Sequence, residues 1–525
     1  MGIYLNPGNG KFIEAISSEI YVDKTGLIGY TNRVLRTKQK YVCVSRPRRF
    51  GKSMAAEMLA AYYGRGWDSR KVFHGYIIET DPSFTQHLNQ YDVIFLNMQK
   101  FLSRTHDVEK MKKLLEKSVL RDLLKAYPDV DYLDSSDLIS VLEDIFDEYR
   151  VPFVFIIDEW DCIFRENKDD EKAQILYLDF LRNLLKDTEY VALAYMTGIL
   201  PIKKYGSHSA LNMFDEFSMT NPKQLAEFVG FTESEVQKLC EQYGVDFEET
   251  RRWYDGYKFE SVEHVYSPRS VVSAMLSKSF DSYWNQTETF EALRDYIVMN
   301  FDGLKDKVIE LLAGNHIKIN TGKFSNDMTT FSTGDDVLTL LIHLGYLGYD
   351  YGTQEVFIPN SEVAAEFCNA VESAGWDMIV KTISQSEQLL KDTWSKNETA
   401  VAEGIEKVHF ETSVLKYNDE NSLACVISLA YYSARVFYTE IREFPAGKGY
   451  ADIIYLPRKN YPDKPVMIIE LKWDKSAEGA IAQIKERKYV KALENYSGNI
   501  LLVGINYDRK SKKHQCVIED IIEKN

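Results

Sequence analysis

Four short apolar runs punctuate the first 200 residues: Tyr41–Val44, Tyr91–Leu96, Phe153–Ile157 and Tyr190–Met196, each closing on polar or glycine-bearing sequence. Runs of this length, lacking the alternation of a half-exposed strand, read as strands buried on both faces of a parallel sheet. Between them the period changes to that of helices. Residues 54–61 are alanine-rich, and Met111, Leu114, Leu115, Val119, Leu123 and Leu124 mark a helical face within 106–150. Strands alternating with helices predict an α/β domain.

From about Asn221 the pattern shifts to short helices. Thr232 with Glu235 three residues on forms a capping box ahead of an apolar-periodic run. Tyr254-Asp255-Gly256-Tyr257 and Val265–Val271 follow, as a helical subdomain or as a lid whose Arg269 reaches a phosphate. Further on, an apolar helix from Asp336, two strands around a glycine turn (Tyr346–Pro359) and a helix from Ser361 have the order of a winged-helix unit. No Lys/Arg row marks that helix, so it reads as a spacer. Toward the C-terminus a helix is expected over 421–438, strands over 450–456 and 466–473, and a helix over 480–489. The pattern divides as 1–220, 221–284 (lid), 285–395 (helical or winged-helix-like middle) and 396–525 (a second α/β domain). Near the start, Tyr21-Val22-Asp23-Lys24-Thr25 reads as a polar approach to the first strand, with Thr25 capping a helix.

Chemistry enters at the strand ends. After Tyr41–Ser45 comes Arg46-Pro47-Arg48-Arg49-Phe50-Gly51-Lys52-Ser53-Met54, and then helix. A strand, a tight loop and a helix N-terminus together converge backbone N–H groups, here from Arg48 to Met54, on anionic oxygens. Lys52 adds a charge for the β- and γ-phosphates, and the Ser53 hydroxyl can ligate Mg²⁺. The stretch departs from G-x-x-x-x-G-K-[ST] at Arg46, where the first glycine would stand, and a basic surface turn is the competing reading. The third run ends in Asp158-Glu159, placed to hold Mg²⁺ and to orient or deprotonate water. The fourth ends at Thr197-Gly198, where a hydroxyl can sense the γ-phosphate.

A second constellation lies near the C-terminus. In Val466–Trp473, Glu470 and Lys472 share one face of an apolar strand, and a buried charged pair is costly unless it is used. If the strand carrying Asp452 lies antiparallel beside it, two carboxylates and the Leu471 backbone carbonyl can ligate Mg²⁺ or Mn²⁺, with the Lys472 ammonium beside them. Glu420 or Glu443 completes the shell, and each reads equally as a cap or a surface acid. On the next helix, Gln483, Lys485, Arg487 and Lys488 stand near the mouth, where phosphate-backbone contacts are expected.

Composition narrows the classes. The formal charge of −16 argues against a chain that coats nucleic acid with its whole surface, but residues 441–525 carry 16 Lys+Arg against 12 Asp+Glu, leaving −20 for the rest. Any polyanion contact is therefore sought near the C-terminus. Six scattered cysteines without metal-ligand spacing fit a reducing cytoplasm. No apolar run approaches the ~20 residues of a membrane span, and the start lacks a signal-type segment, so a soluble cytoplasmic protein with no membrane partner is expected.

Arg46-Pro-Arg-Arg-Phe-Gly-Lys-Ser53, Tyr21-Val-Asp-Lys-Thr25, the Asp158-Glu159 strand and Tyr254-Asp-Gly-Tyr257 resemble the AAA-ATPase-like proteins of bacteria. These are fused at the C-terminus to a PD-(D/E)XK nuclease-superfamily domain, matched by Gly447-Lys-Gly-Tyr-Ala-Asp452 and Ile469-Glu-Leu-Lys472. The resemblance spans nearly the whole chain. It implies an AAA-like P-loop NTPase core followed by a restriction-endonuclease-like domain, ATP binding through Gly51, Lys52 and Ser53, a Walker B pair at Asp158 and Glu159, and metal-dependent phosphodiester chemistry at Asp452, Glu470 and Lys472. Tyr489 lies six residues after Gln483, which departs from the Gln-x-x-x-Tyr helix motif of some relatives. The expected function is an ATPase coupled to an endonuclease acting on DNA or RNA, in defence or mobile-element biology. The alternative is a nucleotide-dependent switch or scaffold that binds nucleic acid or protein without cutting. Oligomeric state is left open, and Arg48, Arg49 and Arg269 are candidates for nucleotide contact in cis or in trans.

Overall fold

The structure is a computed structural model. It describes all residues except 1, 203–210, 260, 285–292, 295, 298–300, 327, 330, 375–376, 412–419, 447–448, 488, 490–492, 494–498 and 522–525, and the side chains of 377–380, 411, 420–422, 446 and 449. The chain divides into two compact units, 1–287 with 318–364, and 288–317 with 365–525.

The first unit is built on a five-stranded parallel sheet. Its strands are β1 (Tyr41–Ser45), β2 (Asp92–Asn97), β3 (Phe153–Asp158), β4 (Val191–Gly198) and β5 (Asp215–Phe217), in the order β2-β3-β4-β1-β5. Every residue of β1, β3 and β4 is buried, as uninterrupted apolar runs require. The chain leaves β1 for the far edge and returns through β3 and β4 to its side. That order sets Ser45 across from Gly198, and Asn97 across from Asp158, along one edge of the sheet. Ligands of open α/β sheets bind beyond such carboxyl ends.

The helical reading of 106–150 resolves into two helices, Val108–Ala126 and Leu138–Tyr149, each started by an aspartate side chain that accepts a backbone N–H. Thr25 heads the helix Gly26–Val34 without capping it. Its hydroxyl donates to Asp23 Oδ1 (2.7 Å) and accepts from Ile78 N (3.1 Å), so it fastens the chain to residues 77–78. Lys24 reaches the 221–284 region, with Nζ at 2.7 and 2.6 Å from the two oxygens of Glu235. Glu235 also closes the capping box with Thr232.

That region pairs β6 (Phe231–Thr232) with β7 (Val265–Tyr266) and packs helices Glu233–Tyr243, Phe247–Tyr254 and Pro268–Ser277 around one apolar cluster. After β8 (Ile317–Lys318) come the helix Gly334–Leu344, the antiparallel pair β9 (Gly348–Asp350) and β10 (Glu355–Phe357), and the helix Ser361–Ser373, in the helix–hairpin–helix order expected from the pattern.

The second unit carries a mixed sheet in sequence order: β11 (Tyr438–Ala446), β12 (Gly449–Pro457), β13 (Val466–Trp473), β14 (Ile500–Asp508) and β15 (Lys513–Ile521). Only β13 and β14 run parallel, joined through the helix Ala477–Glu486 that packs on both. A Cβ at Gly504 would lie 2.4 Å from the Ala477 carbonyl, so glycine permits this close approach. The helix expected over 421–438 ends at Ala430. A short helix, Ala434–Phe437, then leads into β11, because Tyr438 already pairs with Pro457. Among the described residues no helix is long and apolar enough to cross a membrane.

Candidate nucleotide and nuclease sites

The loop after β1 is held from both sides. Gly51 adopts φ +92°, a left-handed conformation suited to glycine, and starts the helix Lys52–Tyr63 with no side-chain cap, so its leading N–H groups are available to an anion. Lys52 is buried and folds back on its own loop, Nζ to Pro47 O at 2.8 Å. Burial pulls its pKa down to about 8, against the opposing pull of Glu159, Asp161 and Asp158. Ser53 and Met54 are exposed at the helix head. The side chain of Phe50 is core, edge-on to Tyr257 at 5.2 Å, so only its backbone can face a ligand. Arg49 donates to Tyr283 O (2.9 Å). Its pKa is lowered by burial and then by Arg269, which is exposed near the head of the helix Pro268–Ser277.

Three strand ends meet at Asp158. Thr197 Oγ1 donates to its Oδ1, and Asn97 Nδ2 donates to its Oδ2 at 3.1 Å. Glu159 stands in a left-handed conformation (φ +55°), and its Oε2 accepts from Arg165 Nη2. Arg165 also faces Asp161 Oδ2 (3.3 Å), which accepts the Ile199 and Leu200 N–H groups at 3.0 and 2.9 Å. Asp161 and Arg165 thus bind the loop after β3 to the loop after β4. Asn97, Asp161 and Arg165 escaped the sequence reading. The Asp158-Glu159 pair was read from the sequence, but partners are assigned only once β2, β3 and β4 are neighbours.

Arg46 is the departure from the phosphate-loop pattern, and it points inward. Its Nη1 donates to Ser45 O and Phe217 O, each at 2.9 Å, and its guanidinium lies 5.1 Å from the Phe259 ring centroid. Complete burial lowers its pKa to about 10, and its Nε and Nη2 have no hydrogen-bond partner among the described residues. In place of a flexible glycine the loop begins on a cation that ties β1 to β5. Arg46→Ala is expected to cost about 2–4 kcal/mol in urea unfolding, because the Phe217 carbonyl is stranded and the volume emptied. Arg46→Gly, which restores the glycine of the pattern, should destabilise at least as much and should not tighten nucleotide binding. Phe259 also lines a cleft of about 360 Å³ with Pro222, Lys223, Lys258, Tyr349 and Tyr351, to which neither Lys52 nor Asp158 contributes.

In the second unit β12 runs antiparallel to β13, with Ile453 across from Ile469, and the same register brings Asp452 to Glu470. Asp452 Oδ2 accepts the Leu471 N–H at 2.7 Å. Glu470 Oε1 accepts from Lys472 Nζ (3.0 Å) and Gln483 Nε2, while Oε2 is buried with no hydrogen-bond partner among the described residues. Burial, and then the Asp452 charge, push the Glu470 pKa up to about 7 against the pull of Lys472. The Leu471 carbonyl accepts from Lys472 Nζ at 3.0 Å. Glu443 is exposed on β11 at φ +46°, and the Glu420 side chain lies outside the described residues. Among the described residues no three His, Cys, Asp or Glu side chains form a metal cage. The residues present nevertheless suit a hard divalent cation, since two carboxylates converge and one buried oxygen lacks a donor among the described residues.

Tyr489 reaches this site despite its spacing from Gln483. The helix ends at Glu486, and the turn returns the buried Tyr489 hydroxyl to within 3.5 Å of Gln483 Nε2. Arg487 is exposed, Lys485 pairs with Glu519 of β15, and Lys488 lies outside the described residues.

A parallel sheet with a phosphate-type loop after an inner strand defines a P-loop NTPase-type domain, and the mixed sheet with its Asp and Glu-x-Lys defines a nuclease-type one. Comparison with known proteins agrees. The family described as Predicted AAA-ATPase matches residues 11–207, and the PD-(D/E)XK nuclease superfamily matches 418–516. The chain carries an AAA-ATPase-like domain followed by a PD-(D/E)XK nuclease-superfamily domain. A curated relative, the uncharacterized protein in the vnfD 5′ region of Azotobacter chroococcum mcd 1, is 25% identical over 284 residues, which are 53% of this chain and 52% of that protein. The match thus spans about half the relative's length. Similar solved structures include the Walker-type ATPase of Pyrococcus abyssi (12% identity, TM-score 0.33, covering 66% of this chain and 94% of that one). The Aeropyrum pernix ORC1 protein in complex with DNA is another (12%, 0.26, 71% and 98%).

Proposed function

We propose that the N-terminal domain binds and hydrolyses ATP with Mg²⁺, and that the C-terminal domain is a Mg²⁺- or Mn²⁺-dependent endonuclease acting on DNA, with RNA as the alternative substrate. The observation that carries this reading is Glu470, a buried carboxylate beside Asp452 with one oxygen lacking a donor among the described residues and a pKa pushed up to about 7. An acid in that condition gains from a cation.

In the N-terminal site, N–H groups from Arg48 to Met54 and the Lys52 ammonium would receive the phosphates, while Ser53 and Asp158 would hold the ion. Thr197 keeps Asp158 oriented, and its hydroxyl would be the group that senses the γ-phosphate. Glu159 orients water once Arg165 shares it. In the C-terminal site, Asp452, Glu470 and the Leu471 carbonyl would hold the metal, whose chemistry is to polarise the phosphodiester and acidify water. Lys472 is poised to neutralise charge developing on phosphate, and Gln483 fixes Glu470.

The test is cleavage of linear and circular DNA and of RNA by the full chain, with and without ATP and Mn²⁺, beside Glu470→Ala. Metal-dependent cleavage by the wild type that Glu470→Ala loses supports the reading. Cleavage that survives in Glu470→Ala refutes it. ATP binding with no cleavage of any nucleic acid leaves the switch or scaffold.

A further inference from the structure

Beside the carboxylates of the C-terminal sheet stands a ring that the chemistry above does not use. Tyr450 is the second residue of β12, two positions ahead of Asp452, and it is 63% exposed. Among the described residues it is the one large apolar side chain on the five strands of that sheet left so open to solvent. No described aromatic side chain packs on it.

Its point of attachment is firmly held. The Tyr450 carbonyl accepts from the Tyr489 hydroxyl at 2.6 Å, and that hydroxyl lies 3.5 Å from Gln483 Nε2, which donates to Glu470. One relay of hydrogen bonds therefore sets the base of the ring relative to the Glu470 carboxylate. The exposed guanidinium of Arg487 joins the same hydroxyl, Nη1 at 3.3 Å. An exposed aromatic ring on a residue whose carbonyl shares the Tyr489 hydroxyl with a solvent-facing guanidinium suits a nucleotide whose base has left its stack: the ring can cover the base and the cation can meet the phosphodiester. Bases inside a closed duplex are already stacked on their neighbours and offer no face to Tyr450.

We propose that Tyr450 is the stacking surface for an unpaired base next to the Asp452–Glu470 site, so that this domain takes single-stranded nucleic acid in preference to closed duplex. The inference rests on the reading of that site as a nuclease, and its substrate class is what it adds.

The test uses the full chain carrying Glu470→Gln, to separate binding from cutting, with and without Tyr450→Ala or Tyr450→Trp. Each protein is titrated in Mg²⁺ with a labelled single-stranded oligonucleotide and with a labelled, relaxed, covalently closed circular duplex. Tyr450→Ala should weaken single-strand binding by about 5- to 100-fold, the loss of one stacked base, and leave duplex binding unchanged. Tyr450→Trp should retain single-strand affinity, because a larger ring still stacks. An equal loss on both substrates, or no loss on the single strand, overturns the proposal while leaving the nuclease reading intact. A Glu470→Gln parent that binds neither substrate, together with a wild type that cuts none, overturns both.

Discussion

Replacing Glu470 with glutamine is expected to reduce metal-dependent cleavage by on the order of a thousandfold or more while ATP hydrolysis persists, since the two sites share no residue. The same substitution has a signature independent of cleavage. Burial, and then Asp452, raise the Glu470 pKa from 4.5 to about 7, with Lys472 opposing. The folded state therefore binds this proton more tightly than the unfolded state. The group's contribution to stability is full below about pH 4.5 and is lost as pH rises through about 7. At pH 8, with metal chelated, the wild type bears a cost of up to about 3 kcal/mol that glutamine does not carry. In EDTA the variant should melt above the wild type at pH 8, and the gap should close toward pH 5. Adding Mg²⁺ or Mn²⁺ should raise the melting temperature of the wild type alone. A variant that melts no higher than the wild type at pH 8, and a wild type indifferent to metal, would remove the cation from this site.

Lys52→Met should abolish the thermal upshift with ATP and Mg²⁺ and weaken nucleotide binding by on the order of a hundredfold or more, with nucleic-acid binding retained. Here the linkage runs the other way. Burial lowers the Lys52 pKa from 10.5 to about 8, against Glu159, Asp161 and Asp158. Between about pH 8 and 10.5 the unfolded chain binds the extra proton, so this group's contribution to stability rises with pH across that window. At neutral pH the buried charge is a cost that an uncharged methionine side chain would not bear, and the free variant should be at least as stable as the wild type. Nucleotide affinity of the wild type should fall as pH rises past 8, where the unliganded lysine loses its charge. Calorimetric titration at pH 7 and pH 9 measures this, and an unchanged affinity would remove the Lys52 charge from phosphate binding.

Much of the fold was readable along the chain. The runs at Tyr41, Tyr91, Phe153 and Tyr190 became β1 to β4 within a residue or so, because strands buried on both faces are continuously apolar. Three C-terminal strands, β11, β14 and β15, were not identified, although Ile500–Ile505 is buried throughout. Helix ends were less legible: the turn after Ala430 and the start of β11 at Tyr438 depend on pairing with Pro457, a partner 19 residues away.

By itself the sequence determined what nearest neighbours can dictate. A glycine and a lysine at a strand–loop–helix junction, an acid at the end of an apolar strand, and a Glu and a Lys two residues apart on one strand face are local patterns, carried by turn chemistry and the two-residue period of a strand. Tertiary structure alone decided how those groups are held. Asn97 and Thr197 meet Asp158 because β2, β3 and β4 lie side by side. Arg46 turns inward because β5 lies against β1 and offers the Phe217 carbonyl. The Glu470 acidity follows from burial next to a carboxylate on another strand. Each of these depends on charge and burial between residues far apart in sequence, and such distances close only when the sheets form.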